Sequence, residues 1–360
     1  MYIIIKLCPS SIHYTMATNK PHEFFIQWHL TERCNLWCKH CYQGERGTDE
    51  LTLPEIKSVI AEVVALLRGW TETHGITFHP SFNITGGEPF LRADLYDILE
   101  EIRKQGIDVY LLTNGMLVSR EKANKLADLG IKGVQVSIEG PEEVHDDIRG
   151  TGSFEASTAG IERLVDMGIP VTINVTLSSL NASQMKKILA YGSHTGAKRV
   201  GFSRLVPYGR GSYLLSRMLT PEQVKDLYGS ILSCELRGVE IVTGDPVAAQ
   251  MTFASKGDGG DIAVSGCAAG VAGLTIHPNG NVSPCRRMPI SLGNVRTDSL
   301  REIWATSPIL EALRDRSRYG EKCKACDRWA ICRGCRAIAY AWSRSQGEDN
   351  YLADDPQCFL

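Results

Sequence analysis

Three thiols share one short loop: Cys34, Cys38 and Cys41, spaced C-x3-C-x2-C between Thr31 and Tyr42. Thiolates are the usual protein ligands of iron–sulfur clusters, and a cubane has four irons. Three thiolates therefore leave one iron without a protein ligand. Such an iron can chelate a small molecule and pass an electron straight into it. The other chemistry open to the loop is a structural zinc site, which needs a fourth ligand. His40 or His29 would serve.

Seven more cysteines crowd the carboxy-terminal third: Cys267, Cys285, Cys323, Cys326, Cys332, Cys335 and Cys358. Their grouping, in a chain with no export signal, reads as metal binding in a reducing cytosol rather than as a disulfide scaffold. Zinc-ribbon-like structure is the alternative for the C-x2-C pairs. Cys8 and Cys234 stand alone and read as small buried hydrophobes. Elsewhere, Thr85-Gly86-Gly87-Glu88-Pro89 pairs glycines, which permit close backbone approach and positive φ, with a carboxylate suited to a cationic ligand. Arg149 suits a bidentate grip on a carboxylate, or else is a surface arginine. Asn174 sits in a Val/Ile/Thr strand, where an amide needs a partner. Residues 204–211, with Arg204 and Arg210, either line a cavity or close over it.

Composition narrows the classes. In 360 residues, 43% hydrophobic content and a formal charge of −2 suit a folded globular chain without a broad basic field for nucleic acid. No apolar stretch approaches the roughly 20 residues of a membrane span. The apolar start is too short for a signal peptide and lacks a basic flank. Met16 is an alternative start, and residues 1–22 read as an extension.

The elements that must position these side chains alternate. Strands at 24–30, 81–85, 108–113, 133–138, 171–177 and 199–204 are separated by helical stripes. The first stripe runs through Ile56, Val59, Ile60, Val63 and Leu67, with Thr52 as N-cap and Pro54 in the first turn. Six strand–helix units imply an α/β fold with a parallel sheet, and chemistry at the carboxyl ends of the strands. A helix from 221 to about 236 follows. Residues 239–260 are irregular, and Asn279-Gly280 reads as a type I′ hairpin turn ahead of a short helix near 299–304. The expected division is a core at 23–240 and a cysteine-rich domain at 241–360.

With the aromatic His40 before its last cysteine, the loop resembles the motif of the radical S-adenosylmethionine (SAM) superfamily. The resemblance implies a partial (β/α)6 TIM-like barrel and a [4Fe–4S] cluster on Cys34, Cys38 and Cys41. It also implies SAM held by Gly86, Gly87 and Glu88 at its amino group, and by Ser137 and Glu139 near ribose and carboxylate. Arg149 would take the methionyl carboxylate, with His40 and Asn174 as further contacts. The carboxy-terminal cysteines resemble a SPASM domain with two auxiliary [4Fe–4S] clusters. Cys323, Cys326, Cys332 and Cys358 would hold the distal one, and Cys267, Cys285 and Cys335 the one nearer the barrel. Cys332 and Cys335 stand two residues apart where the common pattern has three. The implied reaction is reductive cleavage of SAM to a 5′-deoxyadenosyl radical, fed by a ferredoxin or flavodoxin. The amino-terminal motif looks like maturases of ribosomally made peptides. The carboxy-terminal tail looks like enzymes that trim tetrapyrrole side chains on the way to heme. The expected substrate is thus a peptide, or else a small molecule, with neither nucleic acid nor membrane as partner and the cytoplasm as location.

Overall fold

A computed structural model describes residues 22–44, 47–75, 77–234, 236, 238–252, 263 and 265–360. Cys8, Met16 and nearly all of the expected extension lie outside the described residues, as do residues 253–260 of the irregular stretch.

One sheet organises the molecule. Its first half follows the alternation read in the sequence: β1 (His22–His29), α1 (Leu53–His74), β2 (Phe78–Thr85), α2 (Leu95–Lys104), β3 (Asp108–Thr113) and α3 (Arg120–Asp128). The second half is β4 (Gly133–Ser137), α4 (Glu142–Arg149), α5 (Ser153–Asp166), β5 (Val171–Leu177), α6 (Met185–His194), β6 (Arg199–Arg204), α7 (Pro221–Leu232) and β7 (Glu240–Thr243). Beyond it come α8 (Ala249–Thr252), β8 (Gly273–Ile276), β9 (Asn281–Ser283) and β10 (Gly293–Asn294). Four short helices end the chain: α9 (Leu300–Thr306), α10 (Pro308–Arg314), α11 (Glu321–Ala325) and α12 (Arg336–Ser345). The strand order is β10-β9-β8-β1-β2-β3-β4-β5-β6-β7. Strands β1 to β7 pair in parallel, and β8 pairs in parallel with β1.

The parallel run is therefore longer than the six strands read in the sequence. Strand β7 lies in the stretch taken as irregular, at the expected domain boundary, and is only four residues long. Strand β8 belongs to the carboxy-terminal part but extends the barrel sheet, so the cysteine-rich region grows out of the barrel's first edge.

Local chemistry sets these elements. Thr52 accepts from the Glu55 amide while the Glu55 side chain returns to the Thr52 amide, a capping box that fixes the start of α1. The β8–β9 hairpin forms, but not through a type I′ turn. Pro278 holds its own φ negative, and the Gly280 amide bonds back to the His277 carbonyl at 2.9 Å. Only Gly280 of this loop takes positive φ.

Strands β3 and β5 alternate strictly. On β5, Val171, Ile173, Val175 and Leu177 are buried against helices, while Thr172, Asn174 and Thr176 are half-buried. The same alternation leaves Gln135 and Ser137 on β4, and Ser203 on β6, half-buried. The outer face of the sheet is apolar core. The half-buried positions supply a polar lumen.

Candidate functional site

The cysteine loop leaves the carboxyl end of β1 and is pinned from two sides. At β2, Gly87 N–H donates to the Thr31 carbonyl at 2.7 Å, and Glu88 N–H to the Arg33 carbonyl at 2.8 Å. A Cβ on Gly86 would sit 2.4 Å from the Thr31 oxygen, and one on Gly87 2.2 Å from the Arg33 oxygen. The close approach expected of these glycines is made to the loop itself, and neither takes positive φ. From the other side, Gly211 N–H donates to the Cys41 carbonyl at 2.9 Å.

Cys34, Cys38 and Cys41 line one cavity at the carboxyl ends of the strands, together with His40, Gly86, Gly87, Ser137, Arg149 and Asn174. Ser137 and Asn174 are register partners on β4 and β5. Their side chains, like those of Gln135 and Ser203, make no hydrogen bond among the described residues. Sequence reasoning missed Gln135, Thr176 and Ser203 on this wall. The signal was the two-residue period of the strands.

Glu88 and Glu139 are buried and bonded within the chain. Glu88 is fully buried and does not line the cavity. Its carboxylate accepts from Thr113 Oγ1 at 2.8 and 2.9 Å, Asn114 N–H at 2.9 Å and Phe90 N–H at 3.3 Å. It thereby ties the end of β2 to the end of β3. Burial pushes its carboxyl up to about 7 against those hydrogen bonds. Glu139, also buried, accepts from Arg149 Nε at 3.0 Å and Nη2 at 2.5 Å, and from Thr176 N–H at 2.8 Å. His40 Nε2 lies 3.2 Å from it. Burial raises the Glu139 carboxyl, but Arg149 and then His40 outweigh it and hold it well below the usual range. Arg149 is thus committed to a carboxylate of its own chain, and its Nη1 points to Cys38 Sγ at 3.8 Å.

The carboxy-terminal cysteines line two separate cavities. Cys267, Cys285 and Cys335 line a second cavity, which shares Arg286 and Arg287 with the first. Cys323, Cys326, Cys332 and Cys358 line a third, with Gln250. Gln250 Nε2 approaches Cys332 Sγ at 3.4 Å and Cys358 Sγ at 3.5 Å, a contact with no signal in the sequence. Cys234 is half-buried at the core's edge, with its thiol 3.2 Å from the Ser230 carbonyl.

Arg204 joins barrel and tail. It is completely buried, bonded to Asp245 at 2.6 and 2.9 Å and to Asp355 at 2.9 and 2.7 Å. Asp355 also accepts the Cys335 amide at 2.8 Å.

The donor sets suit clusters. Three thiols of one loop face a cavity with Arg149 and Arg210 beside them, so cations offset the charge of bound thiolates. Among the described residues no three His, Cys, Asp or Glu side chains converge as ligands of a single ion. A cubane takes each thiolate on a different iron.

An open parallel barrel with a three-thiol loop at its mouth and two further thiol groups behind defines a cluster-dependent α/β enzyme. The chain matches the model of the radical SAM superfamily over residues 28–191 and that of an iron–sulfur cluster-binding domain (SPASM) over residues 267–327. It is 31% identical to the AdoMet-dependent heme synthase of Methanosarcina barkeri, over 95% of this chain and 97% of that protein. It is 30% identical to the mycofactocin maturase MftC of Mycobacterium tuberculosis, over 88% of this chain and 78% of that protein. Streptococcus suis SuiB, crystallised with its precursor peptide SuiA, superposes with a TM-score of 0.71 at 16% identity, over 94% of this chain and 76% of that one. The chain belongs to the radical SAM superfamily and carries a SPASM domain. It is an enzyme whose cofactors are SAM and [4Fe–4S] clusters. No described helix is long and apolar enough to cross a membrane.

Proposed function

We propose that the enzyme modifies a ribosomally made peptide, with Cys34, Cys38 and Cys41 as ligands of the cluster that binds SAM. Held there, a [4Fe–4S] cluster would supply the one electron needed to cleave SAM to methionine and a 5′-deoxyadenosyl radical, the species that would take hydrogen from the substrate. Gly86, Gly87, Ser137 and Asn174 line the SAM space. Arg149, oriented by Glu139 and flanked by His40, supplies positive charge beside Cys38. Glu88 acts through Thr113 and Asn114 rather than by touching SAM. The other seven cysteines hold two auxiliary clusters, in the groups of three and four described above. A ferredoxin or flavodoxin in the cytoplasm supplies the electron. The division at residue 240 belongs to the same reading, with β7 beginning at that point.

The observation that carries the peptide reading is the neutralisation of Arg204 by two buried aspartates. A tetrapyrrole carries several carboxylates and calls for several available arginines, and Arg204 is not one of them. The lumen wall also offers neutral hydrogen-bonding side chains, suited to amides. The 30% identical mycofactocin maturase supports the same class.

One specific observation favours a second reading, tetrapyrrole side-chain modification. Arg210, Arg286 and Arg287 also line the cavity, and the heme synthase relatives align along nearly their whole length. Anaerobic incubation with a siroheme-derived substrate, dithionite and SAM separates the two. The peptide reading expects only uncoupled 5′-deoxyadenosine. Substrate-dependent loss of carboxyl or acetyl groups from the macrocycle would overturn it.

A further inference from the structure

The five arginines that line the barrel cavity are not equivalent. Arg149 and Arg204 are spent on buried carboxylates of the chain itself. Arg287 donates to the Arg204 carbonyl at 3.4 Å. Arg210 and Arg286 have no carboxylate partner among the described residues. Arg210 stacks on Trp37 at 4.1 Å, and its Nε donates to the Cys38 carbonyl at 3.2 Å. That fixes the side chain and leaves Nη1 buried without any acceptor. Arg286 lies over the Tyr42 ring at 5.7 Å. It lines both the barrel cavity and the neighbouring one with Cys267, Cys285 and Cys335.

A buried guanidinium N–H without a partner is costly, and native structures rarely leave one unmet. Arg210 lines the cavity, held still by a ring and a carbonyl. A second guanidinium faces the same space. Two forks without a carboxylate partner among the described residues fit one chemistry well: a carboxylate, accepting charge-assisted hydrogen bonds.

We propose that Arg210 and Arg286 form a carboxylate subsite that fixes the substrate between the cysteine loop and the Cys267–Cys285–Cys335 group. This deepens the reading of the cavity as the reaction site and rests on it. The carboxylate belongs to an acidic residue of a peptide or to a macrocycle side chain, and the two sources are separable.

The test uses the full chain, reconstituted anaerobically and saturated with SAM. Binding of N-acetylglutamate amide, N-acetylglutamine amide and coproporphyrin III is measured by calorimetry, for wild type, Arg210→Gln and Arg286→Gln. Iron content and SAM affinity are measured alongside. The expected result is that a carboxylate probe binds wild type in preference to the neutral one and loses about tenfold in affinity in each variant. Arg210→Lys, which keeps the charge but not the fork, recovers part of that loss. Response of the glutamate probe assigns the carboxylate to a peptide, and response of coproporphyrin alone assigns it to a macrocycle. Three results overturn the subsite: no preference for a carboxylate, equal affinity in the variants, or a loss confined to SAM or iron. Substrate-free SAM cleavage by wild type is scored separately, so its failure sinks the radical SAM activity without touching the binding data.

Discussion

Replacing Arg204 by Met should be among the most damaging single changes outside the cysteines. All five guanidinium N–H groups are used: Nε and Nη2 on Asp245, Nη1 and Nη2 on Asp355, and Nη1 again on Gln357 Oε1 at 3.0 Å. Tyr228 OH adds a bond to Asp245 at 2.8 Å. Removing one partner of a buried pair costs about 3–5 kcal/mol. Here two buried carboxylates lose their counter-ion together, so about 5 kcal/mol is expected. Asp355→Asn keeps the shape and the Arg204–Asp245 pair, and should cost about 1–3 kcal/mol. Urea unfolding followed by tryptophan fluorescence would rank the two. Because Asp355 also holds the Cys335 amide, Arg204→Met should lose iron from the carboxy-terminal groups while keeping that of the Cys34 loop. The pH dependence has a definite sign. Burial raises the Asp355 carboxyl, but Arg204 outweighs it and holds it below its ordinary value. Its contribution is therefore full above about pH 4 and fades as pH falls further, towards the lowered folded value. A cost for Arg204→Met below about 1 kcal/mol, the range of an exposed pair, would refute the reasoning.

Glu88 should show the opposite pH sign. With its folded carboxyl at about 7, wild type should lose about 3 kcal/mol of stability between pH 4.5 and 7, and Glu88→Gln should flatten that slope in urea titrations. Gly87→Ala forces a methyl onto the Arg33 carbonyl, so iron bound by the Cys34 loop should fall while the carboxy-terminal iron remains. Gln250→Leu removes the amide from Cys332 and Cys358, and EPR-monitored titration should find one cluster's midpoint potential shifted negative, since hydrogen bonds to sulfur raise it. An unchanged potential would remove Gln250 from that role.

Much of the site was legible because its chemistry is carried by residue type and local spacing. Cys34, Cys38 and Cys41 lie within one loop, whereas the interleaved division of the later thiols was an implication of the SPASM resemblance and not of their spacing. The capping box of α1 and the alternation of β5 are likewise local. What escaped depends on long-range pairing. Strand β7 is four residues long, too short for a periodic signal, and exists because it pairs with β6. The pairing of β8 with β1 joins segments about 250 residues apart, with Phe25 opposite Gly273. The neutralisation of Arg204 escaped because Asp245 and Asp355 lie 41 and 151 residues away and give no local sign of it. Glu88 read as a ligand contact for the same reason: Thr113 and Asn114, which take up its carboxylate, lie on another strand end.

The most direct test of the central claim is SAM cleavage scored against iron in the same preparations. Anaerobically reconstituted wild type should hold about twelve irons per chain, the content of three four-iron cubanes. With dithionite it should convert SAM to methionine and 5′-deoxyadenosine. The Cys34→Ala/Cys38→Ala/Cys41→Ala protein should lose about four of those irons and all cleavage. Zinc with little iron in wild type, or full iron and undiminished cleavage in the triple variant, would contradict it.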